Sequence, residues 1–363
     1  MKIGFDAKRA FNNFTGLGNY SRTLLSNLSK FYPENEYHLF TPKVIRNAET
    51  QFLLESKFKI HKPQNALDGI LWRTAKQSKV INKLGLDIYH GLSHELPFGI
   101  SEKTKTVVTF HDLIYKIHPE LFPGLDAKVY AYKYKSAAQR ADKIISISNH
   151  TKQDVKKFYG IPDERVEVVY QSLADTFFKI PPQDNKGSYF LYVGSIIQRK
   201  GLSLIIKALA QFPLKTRPQL KVVGDGKAYK VKCLRLIEEL GLTKHITIIP
   251  HLENHDLPDM YDNAIALLLP SAYEGFGIPI IEALFRKIPV ITTKSTALEE
   301  AAGPGGILIS NKDVNALKTA MEEMLDPVKR RSFGDAGFQY VTRHFDSNIC
   351  TKQVMDIYKS LAK

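Results

Sequence analysis

Cysteine is almost absent from this chain. Cys233 and Cys350 are the only two in 363 residues, too few and too far apart for a disulfide framework or a zinc site. No apolar run approaches the roughly 20 residues that a membrane-spanning helix needs. The first ten residues carry Lys2, Asp6, Lys8 and Arg9, so no signal-peptide core is expected there. Short-period repeats and low-complexity segments are missing too. A cytosolic globular protein is the expectation, since 44% hydrophobic and 24% charged residues are unlike a disordered chain. The length suits two domains of ordinary size.

Acidic residues are in short supply. Asp and Glu number 37 against 51 Lys and Arg, for a net charge of +14. The excess is larger in residues 1–180, with 27 basic against 18 acidic, than in the remainder, with 24 against 19. Nucleic acid, an anionic membrane surface or a phosphorylated substrate would each balance it, and so would solubility alone.

Short apolar runs alternate with amphipathic stretches along most of the chain. "KIGF", "YHLF", "DIYH", "KTVVTF", "KIISIS" and "RVEVVY" read as strands in the first half. "YFLYVG", "LKVVG", "ITIIP", "AIALLLP", "PVITT" and "GILI" do so in the second. Between them, Leu24, Leu25 and Leu28, or Leu202, Ile205, Ile206 and Leu209, repeat at three and four as in helices. This alternation predicts parallel sheets covered by helices. The Pro- and Gly-rich "FKIPPQDNKGS" (178–188) is the expected linker between two such units. The expected domains are 1–180 and 181–345, with a final helix in 346–363 packing back across the seam. Two Rossmann-like domains would turn their strand carboxyl ends toward a common cleft, so chemistry is sought just after strands.

"FTGLGNYSRTLLSNL" (14–28) begins like a dinucleotide site but lacks its third glycine, which is Ser21 here. Residues 8–15 also intervene between strand and glycines. What survives is bare backbone at Gly16 and Gly18 near a helix start, suited to an anion or simply to a flexible turn. In "YVGSIIQRKGLSLIIKAL", Arg199 and Lys200 sit before a helix N-terminus, against the dipole preference. A diphosphate between them and the amides would resolve the conflict; a solvated basic turn is the alternative. In "PSAYEGFGIPIIEALFRKIPVIT", Glu274 follows a strand, Gly275–Gly277 form a turn, and Pro279 fits the first helical turn. Glu282 stands one turn above that start, close enough to share a ligand.

"VGSIIQRKG" followed downstream by "PSAYEGFGIPIIEA" resembles the retaining nucleotide-sugar glycosyltransferases of family 4, which have the GT-B fold. "TGLGNY", "VVTFHDLIYKIHPE", "ADKIISISNHTKQDV", "HLENHDLPDMYDNA" and "ALEEAAGPGG" extend the resemblance over nearly the whole chain, and it is strongest to bacterial mannosyltransferase-type members. The resemblance implies an α/β GT-B fold and transfer of a hexose, mannose first, from a nucleoside-diphosphate sugar to a hydroxyl of a glycan or lipid-linked saccharide. It implies that Arg199 and Lys200 bind the donor diphosphate and that Glu274 faces the donor sugar. Glu282 would hold the ribose, and Gly194, Gly275, Phe276, Gly277, Ile278 and Pro279 would line the donor. His251 and Leu252 would meet the base, Gly16 and Gly18 would close over the diphosphate, and His111 would stand beside the reacting sugar. No cofactor or metal is expected, because the two cations and amide dipoles neutralise the diphosphate. The chain departs from relatives at "FRKIPV" (285–290), where many have a glycine-containing segment; Arg286 and Lys287 there bear on donor identity.

Arg73, Lys76, Lys79 and Lys83 recur at three, three and four, one basic stripe on an expected helix near Trp72. With Lys128, Lys133 and Lys135 among tyrosines, it suits an anionic membrane surface or merely a solvated face. His94 and Glu95, after "DIYH", are candidate acceptor contacts. A nucleic-acid-binding protein would use the same charge, yet no binding module is present. A nucleotide-sugar epimerase is the nearer rival, and it would need no acceptor.

Overall fold

The computed structural model describes residues 1–63, 72–122, 125–173, 177, 187–253 and 255–362. It divides into two compact units, Met1–Ser172 together with Asp346–Lys363, and Leu173–Phe345. The division falls eight residues before the boundary expected from composition, and most of the expected linker lies outside the described residues.

The first unit holds a parallel sheet of β1 (Lys2–Asp6), β2 (Glu36–Phe40), β3 (Phe58–His61), β4 (Ile88–Gly91), β5 (Lys105–Phe110), β6 (Lys143–Ser146) and β7 (Val166–Val168). Their spatial order is β3-β2-β1-β4-β5-β6-β7. Strands β1 and β4 pair with Ile3 opposite Ile88 and Phe5 opposite His90. That neighbour pair is where the winding reverses, so the loops after β1 and β4 diverge and leave a crevice at their carboxyl ends. Phe40, Tyr89, Val108, Phe110 and Ile144 are buried to 1% exposure or less in its core. The final helix, Ser347–Leu361, belongs to this unit and packs on the helix Gly16–Phe31.

The second unit repeats the scheme with β8 (Tyr189–Val193), β9 (Leu220–Val223), β10 (Ile246–Ile249), β11 (Ala264–Leu269), β12 (Val290–Thr293) and β13 (Gly306–Ile309). The order is β10-β9-β8-β11-β12-β13, all parallel. Every residue of β11, "AIALLL", is buried, as a central parallel strand covered on both faces requires. The helix Leu202–Ala210 turns Leu202, Ile205, Ile206 and Leu209 into the same core. Each such aliphatic side chain contributes about 1.5–3 kcal/mol on burial. The reversal here lies between β8 and β11, and it fixes where the candidate donor residues meet.

Candidate active site

At the carboxyl end of β8 the chain passes through Gly194 and reaches a tight turn, Gln198–Lys200, before the helix Leu202–Ala210. At the end of β11 it runs through Ser271 and Glu274 to the helix Ile278–Phe285. Because β8 and β11 are neighbours, these two loops face each other, and the backbone N–H of Ala272 donates to the Arg199 carbonyl at 2.8 Å. Residues some 75 positions apart in sequence therefore form one cluster.

Glu274 Oε1 lies 2.8 Å from Arg199 Nη1 and 3.3 Å from Lys200 Nζ. Ser271 Oγ donates to the same oxygen at 3.1 Å, and Arg199 also donates to the Tyr273 carbonyl. Burial opposes the charge on Glu274, but attraction to Lys200 and Arg199 outweighs it and holds the carboxyl below the usual glutamate range. The ammonium of Lys200 rests against Gly194, whose backbone is left-handed (φ +136) and where a Cβ would sit 2.9 Å from Nζ. A side chain at 194 would displace the cation. The cluster keeps one positive charge in excess, beside a helix start at Gly277 that has no side-chain cap. The helix start, although Pro279 has no N–H and the Ile280 N–H goes to the Gly277 carbonyl, carries the positive end of the helix dipole, and with a spare cation it suits phosphate or sugar hydroxyls.

Pro279 occupies the first turn of that helix and Ile278 begins it, while Phe276 is buried. Glu282, one turn further, receives the Tyr261 hydroxyl on Oε2 at 2.7 Å. Burial pushes its carboxyl up to about 7, and the Tyr261 hydrogen bond only partly offsets that. Sequence reasoning missed Tyr261, which no local spacing links to Glu282. His251 and Leu252 follow β10; His251 is 83% exposed and pairs loosely with Glu253 at 3.1 Å.

Arg286 departs from its expected bearing on the donor. It is buried, with Nε 2.6 Å from Asp262 Oδ1 and Nη2 on Oδ2, a bidentate pair between two helices. Lys287 has a left-handed backbone, φ +60, the conformation that suits a glycine. The substitution thus concerns helix packing.

In the first unit, His111 follows β5 as expected and is buried. Its Nε2 is 2.9 Å from the Leu92 carbonyl, so that nitrogen carries the proton and Nδ1 is an acceptor. Burial, then repulsion from His94, lowers it to about 3, and the ring stays neutral. Its edge meets the Tyr20 ring at 4.7 Å between centroids. His94, expected as an acceptor contact, is packed inside the first unit. It is buried, stacked on Tyr134 at 4.5 Å, and its Nε2 accepts the backbone N–H of His111 at 3.0 Å. In the structure it holds the His111 loop.

The basic stripe is also corrected. Trp72–Lys76 forms a wide π-type turn before the regular helix Gln77–Leu84, so a register counted at 3.6 residues per turn fails. Arg73 turns inward to Asp6 and Glu95, whereas Lys79 and Lys83 are exposed. Glu95 is thereby tied up by Arg73 and Lys133. At the helix Gly16–Phe31, Gly18 does not offer its N–H outward: Asn13 Oδ1 accepts it at 3.0 Å. A Cβ at 18 would lie 1.7 Å from the Asn13 carbonyl oxygen, which is the reason for glycine there, while the space around Gly16 is open. Among the described residues, no helix is long and apolar enough to cross a membrane.

Comparison with known proteins follows the same division. Residues 14–173 match the model of Glycosyltransferase Family 4, and residues 174–339 match Glycosyl transferases group 1. O-antigen chain mannosyltransferase B of Escherichia coli is 24% identical over 384 residues, covering 99% of this chain and 100% of that protein. O-antigen chain mannosyltransferase RfbU of Salmonella typhimurium is 25% identical over 226 residues, 61% of this chain and 62% of its own. Among solved structures, Anabaena HepE in complex with UDP and glucose matches with a TM-score of 0.77 at 19% identity, over 99% of this chain and 100% of that one. The reversal-point cluster, the two doubly wound sheets and a family match on each unit lead to one assignment: the chain belongs to the family 4-type glycosyltransferases of the GT-B fold.

Proposed function

We propose that this enzyme transfers a hexose, mannose first, from a nucleoside-diphosphate sugar to a hydroxyl of a growing glycan or lipid-linked saccharide, with retention at the anomeric carbon. The observation that carries the reading is the Arg199–Lys200–Glu274 cluster beside an uncapped helix start. Two cations sharing one carboxylate have charge to spare for a diphosphate. As the sugar–oxygen bond breaks, negative charge grows on the leaving phosphate, and hydrogen bonds to Arg199 and Lys200 strengthen with it. Glu274 positions both cations and faces the sugar. The first unit, with His111, takes the acceptor. The relatives that are O-antigen mannosyltransferases support mannose, and hence GDP-mannose as donor. The neighbour that binds UDP and glucose keeps UDP-glucose as the second donor to test.

The deciding experiment is a thermal-shift screen against GDP-mannose, UDP-glucose and UDP-galactose, followed by transfer to a mannoside acceptor. GDP-mannose is expected to give the largest shift, and α-linked product from the α-configured donor would establish retention. No shift with any nucleotide sugar would remove the reading. Activity is expected to survive EDTA, because the two cations supply the charge that a metal would otherwise provide.

Glu282 gives a pH dependence. A ribose hydroxyl donates best to a carboxylate, and this carboxyl titrates near 7. Falling pH protonates it, so GDP-mannose affinity should weaken several-fold from pH 8 to pH 6. Glu282→Gln should bind weakly at both, with a flat profile by calorimetry. GDP-mannose is the right probe, since its diphosphate has no terminal group titrating in that range.

A further inference from the structure

The crevice of the first unit holds two cations that form no ion pair among the described residues. Asp6 ends β1, and Lys8 and Arg9 open the short helix Lys8–Asn12. On the other side of the reversal point, β4 leads through Ser93 and His94 to Glu95. Arg73 grips Asp6 Oδ2 through Nη2 at 2.5 Å and Nε at 3.1 Å, and the Lys8 backbone N–H takes Oδ1 at 3.1 Å. Glu95 divides its oxygens between Arg73 at 3.2 Å and Lys133 at 3.3 Å. Both carboxylates are therefore occupied by Arg73 and Lys133.

Lys8 and Arg9 are left over. Neither forms an ion pair among the described residues, although both are half-buried. Arg9 Nε is shut away from solvent without a hydrogen-bond partner among them. Burial first, then repulsion from Arg73 and Arg9, outweighs attraction to Glu95 and Asp6 and holds Lys8 below the usual lysine range. The Arg9 charge is also felt at the rings of His94 and His111, which places it on the His111 side of the crevice. Asp112, the third carboxylate in this neighbourhood, turns Oδ1 to the backbone N–H of Ile114 at 3.1 Å. Among the described residues, Lys8 and Arg9 are thus without an ion-pair partner, and two half-buried cations in that state are costly unless a ligand supplies the anion.

We propose that Lys8 and Arg9 form a subsite for an anionic group carried by the acceptor. It rests on the reading of the first unit as the acceptor side. A guanidinium fork next to an ammonium suits either a phosphate or a carboxylate, so the group is the phosphate of a carrier-linked glycan or the acid of a uronic sugar.

The test is titration calorimetry with GDP saturating the donor side, using octyl mannoside, octyl mannoside 6-phosphate and octyl mannuronide. The wild type should bind at least one charged probe about tenfold or more tighter than the neutral one. Lys8→Ala/Arg9→Ala should erase that preference, and Arg9→Lys should retain part of it. A lead for the phosphate identifies a phosphate, and a lead for the carboxylate a uronic acid; both uphold the subsite. Equal binding of all three probes, no binding of the charged ones, or a preference unchanged in the double variant overturns it. GDP binding, titrated separately, reports that the variants are folded. Its failure in the wild type would count against the donor assignment without touching the charge preference.

Discussion

Changing Lys200 to alanine is expected to lower kcat for sugar transfer about a hundredfold, the scale on which a preorganised donor acts on developing charge. The donor KM should move far less. The reasoning is differential. On the proposed reading, the ground-state diphosphate would share its charge with Arg199 and solvent, so losing one ammonium should cost modest affinity. At the transition state of the proposed reaction the departing oxygen would gain charge next to Lys200, which lies against Gly194, and alanine would offer nothing there. Folding is expected to survive, since Glu274 keeps Arg199 at 2.8 Å and Ser271 at 3.1 Å. Steady-state kinetics with GDP-mannose and a mannoside acceptor, alongside a melting curve, check both halves. An unchanged kcat would take the diphosphate away from this cluster.

Local periodicity carried most of the fold into view, and the physics explains where it stopped. Central parallel strands such as "AIALLLP" announce themselves because both faces are buried. Strand β3, "FKIH", went unread: it is a four-residue edge strand with one buried residue, too short and too polar to break from its surroundings. The candidate cluster was legible because its residues lie in strand-end loops: Arg199, Lys200 and Glu274 come together there, and His111 follows β5. What pairs with what was not. Tyr261 reaches Glu282, and Arg73 reaches Asp6 over 67 positions, because strand order and helix packing bring them together. The stripe containing Arg73 shows the same limit from the other side: a single π-type turn redirects a side chain that 3.6-residue spacing assigns to the surface. The misjudged glycine has a similar origin. Gly18 reads as open backbone, yet the Asn13 carbonyl comes back against it through a loop whose path no spacing rule encodes.

Asp262→Asn tests the other departure, at "FRKIPV". Arg286 is 3% exposed, its guanidinium closed in against the Asp262 carboxylate. Asparagine keeps the shape of the partner but removes its charge and one of its two acceptors, leaving a buried cation half-satisfied. Breaking such a pair from one side costs about 3–5 kcal/mol, so the urea midpoint of the second unit's transition should fall clearly. Replacing both partners, Asp262→Leu with Arg286→Met, removes the buried charge altogether and should recover most of the loss. The donor KM is expected to stay within about twofold in the double variant, because Arg286 follows the C-terminal end of Ile278–Phe285 whereas Glu274 precedes its start, and Tyr261 keeps its bond to Glu282. A tenfold rise in KM with stability restored would return Arg286 to the donor. The same comparison separates the two readings of this segment: packing alone shifts the midpoint, and donor recognition shifts the kinetics.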